Sequence, residues 1–346
     1  MFTRPLRLKK GDAVAIVSPS WGGPHEYPAV YEHGLSVLRE DLGLRPVEMP
    51  AAREGQSYLH QHPEARAKDI NDAFADHDAN AILATIGGDD SVRILPHLDL
   101  DLILDRPKVL MGFSDTTTLL TYLCWNGMIT FYGPSVMAGI SQMRNYPAQR
   151  EQVKDILFRG KANYRYRPAA AYSEGYPDWS NEELVGHVGR KRRSGGWKTL
   201  QGESKASGEL FGGCVEVLEM MKGTPYWPPR SFWDGKVLFL ETSECMPTPD
   251  AVKYMLRNYG MQGILNDISA LLMGRPRGYD RVGKRKLGAA LRQVVADEFS
   301  RPDMPIIMDM DFGHTDPQMI LPLGVRTEVD PAGPGLRLLE PAVERR

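Results

Sequence analysis

Cysteine is scarce in this sequence, and its scarcity argues against two kinds of protein. The 346 residues include three cysteines, Cys124, Cys214 and Cys245, which lie far apart and lack metal-ligand spacing. An odd and widely separated set predicts neither a disulfide framework nor a zinc site. The cysteine content therefore fits a reducing compartment.

Long apolar runs and a charge excess are also missing. No stretch approaches the roughly 18 consecutive apolar residues of a membrane span, and the first residues, MFTRPLRLKKGD, lack the apolar core of a signal peptide. A formal net charge of −2 offers no general attraction to nucleic acid or to an anionic membrane. We therefore expect a cytoplasmic protein whose partner is a small molecule, not a nucleic acid or a membrane.

Apolar residues are plentiful, at 42% of the chain, and their pattern predicts an α/β fold. Because a single core stops growing at roughly 250 to 300 residues, the length predicts two domains. Short apolar runs such as AVAIVSPS alternate with amphipathic segments such as ARAKDINDAFAD. This alternation predicts an N-terminal, mostly parallel sheet with helices on both faces, followed by a C-terminal α/β domain. Ligands bind beyond the carboxyl ends of the strands in such sheets.

The alternation stops in a long irregular segment. We assign residues 1–162 to an N-terminal domain, 163–207 to a substrate loop or linker, and 208–346 to a C-terminal domain. Loops of that length are usually functional or disordered. In the C-terminal domain, GELFGGCVEVLEMM is interpreted as a turn and a helix, and KVLFLETSE and MPIIMDMDFGH as strands.

One serine, Ser114, stands where an apolar run ends and a predicted helix begins, in KVLMGFSDTTTLLTYLC. A serine on a sharp strand-to-helix turn is exposed at the top of the sheet, and the amide after it points towards an oxyanion formed on attack. The G-x-S-x-G pattern is incomplete, because Thr116 stands in place of the second glycine. Spacing alone leaves two interpretations: Ser114 is a nucleophile, or it caps the helix together with Asp115.

The segment GGDDS follows another predicted strand and offers a second group for such a site. Two glycines, Gly87 and Gly88, let the backbone approach a substrate closely, and one of their amides could be an oxyanion donor. The alternative is a tight turn in which Asp89 or Asp90 caps a helix.

A serine nucleophile needs a base, and the base needs an acid that orients it. Among eight histidines, His314 differs in following an apolar strand within the turn GHTDP. Glu241 ends the apolar run KVLFL, an unusual place for a charge, and Glu244 is its nearby competitor. As alternatives, His314 is a turn residue and Glu241 a strand-end carboxylate bound by a backbone amide.

Together these segments resemble the LD-carboxypeptidase family of serine peptidases over nearly the full length. The resemblance implies that Ser114 is the nucleophile, Glu241 the acid and His314 the base. It also implies an oxyanion hole formed by the amides of Asp115 and Gly88. The N-terminal domain would carry the serine and the C-terminal domain the other two residues, in a homodimer that needs no metal or organic cofactor. The segments that carry the resemblance are GDAVAIVSPS, ILATIGGDDS, LMGFSDTTTLL, GELFGGCVEVL, VLFLETSE and DFGHTDPQMILPLG.

Two branches of this family differ in substrate. Peptidoglycan-recycling enzymes remove D-alanine from an L,D-linked tetrapeptide, whereas microcin C self-immunity peptidases cut a peptidyl aspartate from a modified adenylate. The segment IGGDDS resembles the immunity branch, and the long loop contains Trp179 and Trp197, either of which could stack a base. Basic residues between and beside them could bind a phosphate, namely Arg190, Lys191, Arg192, Arg193 and Lys198. A solvated loop, or tryptophans that pack against the dimer mate, are the alternatives.

We therefore expect a serine hydrolase that cleaves a peptidyl- or aminoacyl-nucleotide of microcin C type, with Gly87 as a further substrate contact. A peptidoglycan-recycling L,D-carboxypeptidase is the alternative enzyme. A protein that only sequesters aminoacyl-nucleotides is the alternative outside catalysis, and it is disfavoured because all three triad positions are occupied by the expected residues.

Overall fold

The computed structural model describes residues 2–345. The strands are β1 (Ala13–Val17), β2 (Arg45–Glu48), β3 (Ala79–Ala84), β4 (Val109–Gly112), β5 (Thr130–Tyr132), β6 (Ala171–Glu174), β7 (Arg192–Arg193), β8 (Lys198–Gln201), β9 (Ala206–Cys214), β10 (Val237–Glu241), β11 (Ala270–Gly274), β12 (Ile306–Met310), β13 (Thr315–Asp316), β14 (Leu321–Leu323), β15 (Arg326–Asp330) and β16 (Gly335–Leu338).

The α-helices are α1 (Gly23–Glu26), α2 (Pro28–Glu40), α3 (Gln56–Gln61), α4 (Pro63–Ala75), α5 (Leu100–Asp105), α6 (Thr117–Trp125), α7 (Pro147–Val153), α8 (Val215–Met221), α9 (Pro249–Met261), α10 (Ile264–Asp267) and α11 (Arg281–Arg292). Helices α7 and α11 continue as π-helical turns at Lys154–Phe158 and Gln293–Glu298. Short 3₁₀ helices lie at Ser91–His97, Ser114–Thr116, Met143–Asn145, Glu182–Leu184 and Arg230–Trp233. Within residues 2–345, no helix combines the length and the apolar character that crossing a bilayer would require.

The first sheet has the strand order β14-β5-β4-β3-β1-β2. Its pairs are parallel except for β14, which runs antiparallel to β5. Strands β1 and β4 are buried along their whole length, as expected of runs without polar residues in a parallel sheet covered on both faces. The first sheet thus confirms the mostly parallel arrangement that the alternating pattern predicts.

The second sheet has the order β16-β15-β9-β10-β11-β12-β8. The four central strands, β9 to β12, are parallel, and the flanking strands β15 and β8 are antiparallel to their neighbours. Buried apolar side chains from both sheets form one continuous core. The α/β fold class, with a second sheet domain after the first, is therefore confirmed.

The interpretation of GELFGGCVEVLEMM as a turn and a helix is wrong for its first half. Residues Ala206–Cys214 form β9, and only Val215–Met221 form a helix. The glycines that suggested a turn instead let β9 approach the backbone of β10 and of the residues just before it. A Cβ atom at Gly208 would lie 1.9 Å from the Gly235 carbonyl oxygen, and one at Gly212 would lie 1.8 Å from that of Phe239. The sequence did not reveal this strand, because the glycines that its close packing requires are also typical of turns.

The long segment 163–207 contains three short strands. Two of them, β6 and β7, form a small antiparallel sheet with β13, and the third, β8, is an edge strand of the second sheet. In addition, β14 from the C-terminal half completes the first sheet. The division at residues 162 and 207 stays a prediction, and so does the homodimer, because a single chain is described.

Candidate active site

Ser114 lies in a strained turn between β4 and α6. Its φ angle is +58°, in the left-handed region that side chains other than glycine rarely adopt. The turn is close-packed, because a Cβ atom at Gly87 would lie 2.8 Å from Ser114 Oγ. No side chain caps α6, and the carboxylate of Asp115 instead accepts the Ser91 N–H at 2.8 Å. The helix-cap interpretation of Ser114 and Asp115 therefore does not hold.

Ser114, His314 and Glu241 lie in one hydrogen-bonded row. The distance from Ser114 Oγ to His314 Nε2 is 3.1 Å, and the distance from His314 Nδ1 to Glu241 Oε2 is 2.8 Å. Ser114 follows β4, Glu241 ends β10, and His314 follows β12, so the carboxyl ends of strands from both sheets meet here. Gly313 permits the contact, because a Cβ atom there would lie 2.3 Å from Glu241 Oε2. This is the arrangement that a nucleophile, a base and an orienting acid require.

Tyr132, at the end of β5, connects the acid to the serine backbone. Its hydroxyl donates to Glu241 Oε1 at 2.5 Å and accepts the Ser114 N–H at 3.2 Å. Burial, together with the charge of Glu241, raises the pKa of Tyr132 well above its usual value, so the hydroxyl keeps its proton. Sequence reasoning missed this residue, because its role depends on β5 lying next to β4 in the sheet.

Glu244 places a second carboxylate on His314. Its Oε2 lies 2.8 Å from His314 Nε2, the nitrogen that also faces Ser114, and its side chain is 55% exposed. Burial would lower the pKa of His314, but Glu241 and Glu244 together raise it above its usual value. The hydrogen bond with His314 in turn lowers the pKa of Glu244. Glu244 therefore does not compete with Glu241 for Nδ1, because it contacts the opposite nitrogen.

The Gly-Gly turn lies beside the serine. Neither the N–H of Gly88 nor that of Asp115 has a hydrogen-bond acceptor within residues 2–345. The conformation of Gly88 (φ +149°) brings it against Ser20, since a Cβ atom there would lie 2.1 Å from Ser20 Oγ. Asp90, two residues after Gly88, holds the end of this turn in place, because its carboxylate forms a buried ion pair with Arg66 at 2.6 Å. Two amides without an acceptor thus belong to the two turns that pack together at Ser114, since a Cβ atom at Gly87 would lie 3.3 Å from the Asp115 nitrogen.

A cleft of about 770 Å³ opens over these groups. Trp179, from the long loop, lies in its wall with the ring centroid 5.6 Å from that of Tyr27 and 5.5 Å from that of Tyr176. The other lining residues are of mixed character, namely Trp21, Gln56, Ile86, Gly87, Gly88, Asp89, Phe113, Ser114, Ala138, Pro177, Glu244, Cys245, Arg277 and His314. The cleft thus joins an aromatic wall to the serine.

The structure does not bring Trp197 to this cleft. Its ring is 5% exposed, and its indole N–H donates to Asp311 at 2.7 Å, as expected of a core residue. The basic residues beside it are also absent from the cleft lining. Lys191 donates to a backbone carbonyl, Arg192 pairs with Glu174, and Lys198 pairs with Asp309. Of the two loop tryptophans, only Trp179 is placed to contact a substrate.

Comparison with known proteins agrees with this geometry. Two family models match the chain, the LD-carboxypeptidase N-terminal domain over residues 14–133 and the LD-carboxypeptidase C-terminal domain over residues 207–329. The microcin C7 self-immunity protein MccF of Escherichia coli is 28% identical, with 95% of this chain and 93% of that protein covered. The probable murein peptide carboxypeptidase of Bacillus subtilis is also 28% identical, with 95% and 92% covered.

A solved structure has the same fold. An MccF-like protein from Streptococcus pneumoniae, in complex with AMP, superposes with a TM-score of 0.85 and 31% identity, with 95% of this chain and 98% of that chain covered. Matches of this length and identity confirm the resemblance that the sequence motifs predict. The chain belongs to the LD-carboxypeptidase family and is a serine-type carboxypeptidase, a hydrolase.

Proposed function

We propose that the protein hydrolyses a peptidyl- or aminoacyl-nucleotide of microcin C type through Ser114, His314 and Glu241. The observation that carries this proposal is the position of Trp179, which lies with two tyrosines in the wall of the cleft that holds the serine. An aromatic wall suits a base, because every nucleobase has a π-face that stacks on such rings.

In the first half of the reaction, His314 Nε2 accepts the hydroxyl proton of Ser114 as Oγ attacks the substrate carbonyl. The oxyanion receives hydrogen bonds from the N–H groups of Gly88 and Asp115. His314 then gives its proton to the leaving group, and an acyl-enzyme forms. Water, deprotonated by the same nitrogen, attacks the ester carbonyl and releases the acid product and the free serine.

Glu241 and Tyr132 keep the base in its working orientation. The carboxylate of Glu241 accepts a hydrogen bond from the Nδ1–H group of His314, which leaves Nε2 as the nitrogen that faces the serine. Tyr132 occupies the other carboxylate oxygen, which prevents Glu241 from turning away. Glu244 has to leave Nε2 before catalysis, because it stabilises the protonated imidazole, which cannot accept the serine proton.

The relatives support two substrates. The MccF of Escherichia coli is a microcin C7 self-immunity protein, and the Streptococcus pneumoniae protein is in complex with AMP, which favours a nucleotide. The Bacillus subtilis relative is a probable murein peptide carboxypeptidase, which favours the tetrapeptide as the second candidate. The position of Trp179 favours the nucleotide, since a murein tetrapeptide has no aromatic face to stack.

The test compares kcat/KM on a processed microcin C analogue and on an L,D-tetrapeptide, for wild type and for Trp179→Ala. Loss of base stacking costs about 1 to 3 kcal/mol, so we expect about a 5- to 150-fold loss on the nucleotide substrate and little change on the peptide. Tyr254→Ala is the control, because this aromatic side chain is 60% exposed and does not line the cleft. Efficient wild-type cleavage of the tetrapeptide alone would favour the recycling function.

A further inference from the structure

Arg277 is a cation of the cleft that is not paired with any side chain of the described residues. Arg277 follows β11 and lines the cleft with Ser114 and His314. Its guanidinium forms no hydrogen bond or ion pair with any residue from 2 to 345. Arg275, two residues earlier, shows the contrast, because it is buried, pairs with Asp311 at 2.5 Å and lies over the ring of Tyr172. A guanidinium has five N–H donors, and those of Arg277 face no protein acceptor.

The position of Arg277 connects the aromatic wall with the catalytic groups. Its Nη2 lies 2.9 Å from the place where a Cβ atom of Gly175 would be, so the guanidinium packs against bare backbone next to Tyr176. The hydrogen bond with His314 lowers the pKa of Glu244, and the charge of Arg277 adds to that effect. Burial raises the pKa of Asp316, and the charge of Arg277 opposes the rise, although Arg277 forms no ion pair with Asp316. Asp89 and Glu244 add negative charge to the same cleft, yet neither forms an ion pair with Arg277. A free cation is therefore held between the long loop and the triad.

We infer that Arg277 is the residue of the cleft that recognises an anionic group of the substrate, distinct from the oxyanion that forms at the scissile carbonyl. It binds the anionic group that the substrate carries near the scissile carbonyl, by a forked pair of N–H···O bonds that a guanidinium offers and an ammonium does not. The inference rests on the proposed hydrolytic function of this cleft. Both candidate substrates carry such a group, a phosphoryl group in the nucleotide and a terminal carboxylate in the tetrapeptide.

The basic loop cannot supply this contact from its present position. Lys191, Arg192 and Lys198 are bound to protein oxygens, and none of them lines the cleft. Arg277 is the arginine among the cleft residues, so recognition of the anion falls to it. The sequence signal was weak, because Arg277 lies in the short segment MGRPRG, away from the basic run.

Binding of AMP and of adenosine separates recognition of the phosphoryl group from stacking. Measured by calorimetry, wild type should bind AMP more tightly than adenosine. Arg277→Ala should weaken AMP about 10- to 100-fold and leave adenosine unchanged, and Arg277→Lys should fall between. Arg39→Ala is the matched control, because it removes the same charge from an exposed position on α2, outside the cleft. A thermal melt checks folding, which should be unaffected because no ion pair is lost.

The terminal carboxylate is tested with the L,D-tetrapeptide and its C-terminal amide. If the carboxylate is the bound group, wild type should prefer the acid in kcat/KM by about 10- to 100-fold, and Arg277→Ala should remove the preference. The inference is overturned if Arg277→Ala leaves both the AMP affinity and the acid preference unchanged. It is also overturned if wild type neither binds AMP more tightly than adenosine nor prefers the peptide acid to its amide. Failure of the proposed nucleotide function would be a separate result. In that case the wild type itself would not hydrolyse the nucleotide substrate, and substitution of Arg277 would not matter to that outcome.

Discussion

His314 contacts three oxygen-bearing side chains at once, and these contacts set how the site responds to pH. Glu241 lies at Nδ1, and Ser114 and Glu244 share Nε2. Because the two carboxylates raise the pKa of His314, the neutral imidazole that accepts the serine proton forms only at higher pH. In the proposed mechanism, the charge on Glu244 therefore keeps His314 protonated in the free protein, and attack by Ser114 requires that proton to be lost.

Replacing Glu244 by glutamine should shift the pH dependence of kcat/KM. One of the two carboxylates that raise the pKa of His314 is removed, so the pKa falls and the rising limb of the profile moves to lower pH. Glu203→Gln is the control, because this exposed carboxyl does not line the cleft. A profile that stays in place, or moves to higher pH, would rule out the contact between Glu244 and the base.

Replacing Tyr132 by phenylalanine should lower kcat about 10-fold with little change in KM. The change removes the hydroxyl that holds Glu241 and leaves the Ser114 N–H without its acceptor, at a cost of about 1 to 2 kcal/mol. Tyr166→Phe is the matched control, since it removes another buried hydroxyl, one that donates to the Ile320 carbonyl. That control should lower the melting temperature and leave kcat unchanged; equal effects of both variants on kcat would argue against a positioning role.

The strand ends were the most informative part of the sequence at the scale of elements. Their position at strand ends made Ser114, Glu241 and His314 candidates, and the family resemblance then assigned their roles. Tyr132 and Arg277 could not be found in this way, because their roles depend on which strand lies beside which and on side-chain pairing across the cleft. Strand β9 was missed because its glycines have the composition of a turn, although they serve close contact with β10.

Replacing Gly212 by alanine should test that contact. An added Cβ would lie 1.8 Å from the Phe239 carbonyl oxygen, and the φ angle of +148° is unfavourable for alanine. We expect the free energy of unfolding to fall by about 2 kcal/mol or more, measured by denaturant titration. Gly195→Ala is the control, because no atom lies within 4 Å of its Cβ position. Similar stability of the two variants would contradict the close approach of β9 and β10.

At the scale of the whole molecule, the site depends on the meeting of two sheets. The serine follows a strand of the first sheet, and the glutamate and histidine follow strands of the second. Strand β14, which follows His314 in the chain, joins the first sheet and so ties the base to the serine. The order of the two sheets along the chain was predictable from the sequence. The pairing of β14 with β5 was not, because a strand of three residues, LPL, is too short to indicate which strand it pairs with.

The central claim is that Ser114 and His314 act as one catalytic unit, and its most direct test is a double-mutant cycle. We would measure kcat/KM on the microcin C analogue for Ser114→Ala, His314→Ala and the double variant, each checked for folding by thermal melt. Each single variant should lose about a thousandfold or more, and the double variant should lose little beyond that. A near wild-type rate for Ser114→Ala, or losses that multiply in the double variant, would contradict the claim.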